Sequence, residues 1–137
     1  MSDLIRRLES EHASLVDSFN KIKRLEINSD GAPVLLQSIK TALLAHLKKE
    51  NETIYPKLRE ESFNNPRLQQ TLDLFARDIV RLATVFIEFL DKYSQGGSQS
   101  DYAGDISRLA IIMSAFARRE EDVIFSAYKD FTIGRAA

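Results

Sequence analysis

The 137-residue chain is predicted to be all-α, a four-helix bundle running up-down-up-down. Three observations predict it. Apolar residues recur at gaps of three and four along four long stretches, the period of a helix with one buried face. The two-residue alternation of a half-buried strand appears nowhere. The connections are short and rich in turn residues, so successive helices pack as antiparallel neighbours. Apolar residues make up 44% and charged residues 28%, enough to build a core and against wholesale disorder, so residues 1–137 are read as one domain.

The first helix is expected over about 3–27. Ser2 or Asp3 supplies an N-cap, and Leu4, Ile5, Leu8, Leu15, Phe19, Ile22 and Leu25 form the buried stripe. Asn28-Ser-Asp-Gly-Ala-Pro33 then reads as a turn, with Pro33 opening the second helix, about 33–61. Pro56 lies inside that helix and should kink it, because proline gives up a backbone hydrogen bond and crowds the preceding turn. Asn65-Pro66 reads as cap and first residue of the third helix, about 66–93, whose stripe is Leu68, Leu72, Phe75, Ile79, Leu82, Phe86, Phe89 and Tyr93. Ser94-Gln-Gly-Gly-Ser-Gln-Ser100 is a flexible connection. The fourth helix is expected over about 102–131, starting near Asp101, with Ile106, Leu109, Met113, Phe116, Ile124 and Ala127 inward. A frayed tail is expected from Thr132 on.

Charge and composition narrow the function. Nineteen Lys and Arg against 20 Asp and Glu leave a net charge of −1, without a basic stripe for nucleic acid or a polybasic cluster for a membrane surface. The absence of cysteine excludes disulfides, thiolate metal sites and cysteine nucleophiles. No signal-peptide pattern or membrane-length apolar run is present, so a cytoplasmic protein is expected.

Chemistry concentrates on the buried stripes. His46 and Glu50 are four residues apart, one above the other on the apolar face of the second helix, between Leu43 and Ile54. His12 lies on the first stripe between Leu8 and Leu15, and Glu120 is the one charge on the fourth. A buried carboxylate demands a proton, a partner or a metal. Two imidazoles and two carboxylates suit Fe(II), Mn(II) or Zn(II) better than Ca(II) or Cu(I). Asp78 lies on a flank and reads as a solvated residue paired with Arg77 or Arg81. The basic pairs Lys48–Lys49 and Arg118–Arg119 also fall off the stripes. Tyr55 and Tyr102 are candidate hydrogen-bond donors to the cluster.

The chain also repeats. Phe116-Ala-Arg-Arg-Glu120-Glu-Asp-Val-Ile124-Phe125 aligns with His46-Leu-Lys-Lys-Glu50-Asn-Glu-Thr-Ile54-Tyr55 at an offset of 70 residues, and the first helix aligns with the third at 67. Glu50 maps onto Glu120, whereas His12 maps onto Ile79 and His46 onto Phe116. The pattern of His12, His46-x-x-x-Glu50-x-x-x-Ile-Tyr-Pro and Glu120-x-x-x-Ile-Phe resembles the hemerythrin-like, or HHE cation-binding, domain over nearly the whole chain. That resemblance implies a non-haem di-iron site held by five histidines and two bridging carboxylates. By position it makes His12 and His46 terminal ligands, and Glu50 and Glu120 the bridging carboxylates. Ile79 and Phe116 stand where the family has histidines, so the resemblance implies a reduced site of one ion or an asymmetric pair, not an oxygen-carrying pair.

Two readings follow. In the first, His12, His46, Glu50 and Glu120 hold iron, or Mn or Zn, and the protein senses oxygen, nitric oxide or iron, with a protein partner in signalling. In the second the four form a metal-free hydrogen-bonded cluster, and the bundle is a regulatory or protein-interaction module. No catalytic residue is read, and an enzyme is not expected. Metal-dependent oxygen or peroxide chemistry ranks third.

Overall fold

The computed structural model describes the backbone of residues 3–136 and the side chains of 3–132, and four helical rods make up the described residues. The first is α1 (Asp3–Ile22). The second is α2 (Gly31–Glu52) followed by α3 (Ile54–Glu61). The third is α4 (Pro66–Tyr93). The fourth runs through α5 (Gln99–Arg119), a π-helical turn (Glu120–Phe125) and α6 (Ser126–Ala136). No strand occurs among the described residues, so the predicted all-α bundle is what the chain forms. α1 packs on α2 and α5, α4 on α3 and α5, and α3 on α6. The inward stripes supply one continuous apolar cluster, from Ile5, Leu8 and Phe19 through Leu43, Leu72 and Phe86 to Ile106 and Phe125.

The helix ends differ from the sequence reading, in part for reasons that lie across the chain. α1 stops at Ile22, well before residue 27, and the Ile22 carbonyl accepts a hydrogen bond from the Tyr102 hydroxyl at 3.0 Å. Ile27 is nevertheless buried, and its N–H donates to Gln99 Oε1 at 2.7 Å. α5 begins at Gln99 because Ser98, not Asp101, is the N-cap; its side chain accepts from the Asp101 N–H. The glycine connection is tied down as well: Asn28 donates to the Gly97 carbonyl and accepts from the Gly97 N–H. Gly96 sits at φ 85°, and a β-carbon there would collide with Asn28 Oδ1. Asn65 caps α4 as expected, accepting from the Leu68 N–H ahead of Pro66. At the other end α6 continues through Ala136, where a frayed tail was expected; Ser2, the alternative first cap, and Ala137 lie outside the described residues.

Each of the two rods that carry a glutamate on the buried stripe, Glu50 or Glu120, is irregular just beyond it. Pro56 has no N–H for the Glu52 carbonyl and its ring crowds that carbonyl, so the second rod breaks at Thr53 (φ −125°, ψ −65°), three residues ahead of the proline. The Thr53 hydroxyl bonds back to the Lys49 carbonyl at 2.5 Å. The fourth rod has no proline there and widens into the π-helical turn from Glu120 to Phe125. Such turns inside α-helices are frequent at functional sites.

Candidate metal centre

The structure brings His12, His46, Glu50 and Glu120 together in the bundle interior. One donor atom from each lies within 4.8 Å of all the others, and all four side chains are buried. α1 supplies His12, α2 supplies His46 and Glu50 one turn apart, and the α5–π junction supplies Glu120. The imidazoles lie 4.6 Å apart between ring centroids, tilted by 50°. Phe125 stacks almost parallel on His12, at 5.3 Å and 7°.

Contacts inside the cluster are close without being well-formed hydrogen bonds. His12 Nε2 is 3.0 Å from Glu120 Oε1, and His46 Nε2 is 3.3 Å from Glu50 Oε1. Yet His46 Nε2, Glu120 Oε1 and both Glu50 oxygens lack a well-formed hydrogen bond with any N–H or hydroxyl group, and the Glu50 and Glu120 carboxyls lie against each other, close enough to share a proton. Lone pairs that face each other at these distances, away from water, are costly unless a proton or a cation lies between them.

Around the cluster the hydrogen bonds are well formed. Glu11 Oε1 lies 2.8 Å from His46 Nδ1, and Glu11 Oε2 accepts from Lys49 Nζ at 2.5 Å. The Tyr55 hydroxyl donates to Glu120 Oε2 at 2.6 Å. Of the two tyrosines named from sequence, Tyr55 therefore joins the cluster, whereas Tyr102 serves α1. Glu11 was not foreseen. It is one residue from His12 in the chain but pairs with a histidine on another helix, and periodicity within one helix carries no sign of that. Glu121 Oε1 stands 3.7 Å from His12 Nδ1, which makes no hydrogen bond.

Charge in the cluster is divided unevenly. Burial, then the contact with Glu120 and its negative charge, pushes the Glu50 carboxyl far above the ordinary carboxylate range. Burial would also raise Glu120, but its contacts with His12, Glu50 and Tyr55 outweigh burial and pull it below that range. Burial lowers His46 and keeps it neutral, although Glu11 opposes the shift. Burial acts to raise Glu11, but Lys49 and His46 hold it down. Without a cation, the two buried carboxyls of the cluster are therefore pushed apart, Glu50 toward the protonated and Glu120 toward the ionised form.

The opposite side of the bundle centre is apolar. Ile79 and Phe116, the repeat partners of His12 and His46, are buried, and Phe116 meets Phe75 edge-on at 5.8 Å. Asp78 does not approach the cluster. It pairs at 3.4 Å with Arg119 of α5, not with Arg77 or Arg81 as expected.

The donor set fits one cation of the iron, manganese or zinc kind. Bonds of about 2.0–2.2 Å to N and O place tetrahedral ligand atoms roughly 3.3–3.6 Å apart, so the widest-spaced donors of the cluster, now within 4.8 Å, draw in by about 1 Å to hold an ion. Two imidazoles among four donors argue against Ca(II), which takes oxygen. Among curated proteins and among solved structures, the comparisons returned no match. The family model for the hemerythrin HHE cation binding domain matches residues 3–128. With that match covering nearly the whole chain, and with a buried His/Glu cluster at the bundle centre, this protein belongs to the hemerythrin HHE cation-binding family.

Proposed function

We propose that the protein binds a single iron-type ion through His12, His46, Glu50 and Glu120, and that it senses or regulates in response to oxygen, nitric oxide or iron without being an enzyme. The observation that carries this reading is the convergence of His46 Nε2, Glu120 Oε1 and both Glu50 oxygens in a buried place where none has a well-formed hydrogen bond with an N–H or hydroxyl group. One ion is favoured over a pair because Ile79 and Phe116 fill the second half of the centre with hydrocarbon. Four protein donors leave an iron-type ion short of six ligands, with open positions at which a small molecule could bind. Such an ion, when bound, supplies Lewis acidity and a redox couple at the open position. The chain's own part is to hold the donors. Tyr55 orients Glu120, Glu11 orients His46, and Phe125 packs flat on His12.

The competing reading is a metal-free regulatory or protein-interaction module. The Tyr55–Glu120 and Glu11–His46 hydrogen bonds favour it, since they hold the cluster without an ion. Anaerobic Fe(II) titration followed by thermal unfolding separates the two. A metal centre gains several degrees in Tm, and His46→Ala loses the gain. A metal-free module shows no gain at any micromolar concentration. If Fe(II) stabilises the protein, adding nitric oxide should produce a new visible absorption band; its absence would contradict the gas-sensing role.

A further inference from the structure

We propose that Glu11 is a positioning residue, which holds the His46 proton on Nδ1 and so keeps the Nε2 lone pair turned toward Glu50. A neutral imidazole has one N–H, and the partner of the other nitrogen decides which nitrogen carries it. Glu11 Oε1 lies 2.8 Å from His46 Nδ1. A carboxylate whose other oxygen is occupied by Lys49 Nζ at 2.5 Å can only accept there, so the proton belongs on Nδ1. Nε2, on the far edge of the ring, makes no hydrogen bond and sits 3.3 Å from Glu50 Oε1.

The restraint matters because this edge of the cluster meets solvent. A cleft of about 220 Å3 between α1 and α2 is lined by Ser14, Ala45 and the Glu11–His46–Lys49 set. Water from this cleft would compete for Nδ1 if Glu11 were gone, and a histidine side chain free in water prefers the proton on Nε2. That form turns an N–H, not a lone pair, toward the other donors and cannot ligate through Nε2. His12 lacks the restraint: its Nδ1 is 3.7 Å from Glu121 and makes no hydrogen bond, so it serves as the internal control.

The link from the tautomer to metal affinity rests on the proposed metal centre, but the tautomer itself does not. Only two histidines are present, so the imidazole nitrogens of the 15N-labelled, metal-free protein can be read by NMR one ring at a time. His46 should show the Nδ1–H form, Glu11→Ala should move it toward Nε2–H, and Glu11→Gln, whose amide oxygen still accepts, should retain it. His12 signals should not change tautomer in either variant. Zn(II) titration against a competing chelator should then show affinity weakened about 10- to 100-fold in Glu11→Ala and within a few-fold of the parent in Glu11→Gln. An unchanged His46 tautomer in Glu11→Ala overturns the proposal, whatever the affinity does. A tautomer that switches in a protein that takes up no Zn(II) upholds the positioning role and overturns the metal centre instead.

Discussion

At the scale of single residues, the cluster is two carboxylates in one dry place with unequal supply. Glu120 has the Tyr55 hydroxyl at 2.6 Å, and no N–H or hydroxyl group donates to either oxygen of Glu50. The repeat explains the difference: the residue equivalent to Tyr55 is Phe125, which carries no hydroxyl. Glu50 therefore keeps a proton that it would give up in the unfolded chain. With its pKa raised in the folded state, the native protein binds more protons at this group above pH 4.5, so the contribution of Glu50 to stability is complete below that value and is lost as pH rises toward the raised pKa. The lowered pKa of His46 acts in the opposite sense, but only below its ordinary value of 6.5. Between pH 7 and 8.5, metal-free protein should thus lose about 1 kcal/mol per pH unit, and Glu50→Gln should abolish most of that slope. Chemical denaturation across this range measures it. At pH 7.5 the Gln variant should also be more stable than the parent, by about 2 kcal/mol, while losing metal uptake. Tyr55→Phe should cost about 1–3 kcal/mol in the same assay by stranding Glu120 Oε2. His12, His46, Glu50 and Glu120 were legible because each breaks an apolar stripe. Glu11 was not, because its role depends on which helix lies opposite.

At the scale of elements, the site is shaped by what happens just after each glutamate. The break at Thr53 follows from Pro56, and its existence was legible, although its place, three residues upstream, becomes clear only once the missing hydrogen bond to Glu52 is counted. The π-helical turn from Glu120 to Phe125 left no mark in the spacing, since one widened turn is too short to shift a periodic pattern. Helix ends were the least legible feature: α1 stops where Tyr102, far along the chain, bonds its last carbonyl, and α5 starts on Ser98 inside the stretch read as a flexible connection. Tyr102 closes α1 through the Ile22 carbonyl, far from the cluster. Tyr102→Phe should therefore lower stability by about 1 kcal/mol and leave metal affinity unchanged. Gly96→Ala should cost more, about 1–3 kcal/mol, by forcing a β-carbon onto a left-handed backbone and into Asn28, again without effect on the site. Thermal unfolding with and without Zn(II) separates these effects on the fold from effects on the centre.

At the scale of the whole molecule, two similar helical hairpins enclose a centre furnished from one side. The number and period of the helices, their inward faces and the doubling of the glutamate were all readable, because a bundle repeats its logic along each helix. The hydrogen bonds that hold the donors were not, because they cross between helices. The apolar half, Ile79 and Phe116, separates a single-ion centre from a pair, and Ile79→His combined with Phe116→His should raise bound metal from one ion toward two. The metal-free form should weaken by roughly 2–5 kcal/mol as two imidazoles replace packed hydrocarbon. The most direct test of the centre is the metal content, by mass spectrometry, of untagged protein purified without chelator, alongside His12→Ala and Glu120→Ala. A centre built from these four residues gives about one equivalent of iron, manganese or zinc in the parent and none in either variant. Metal-free protein that takes up none of these ions at micromolar concentration would contradict it.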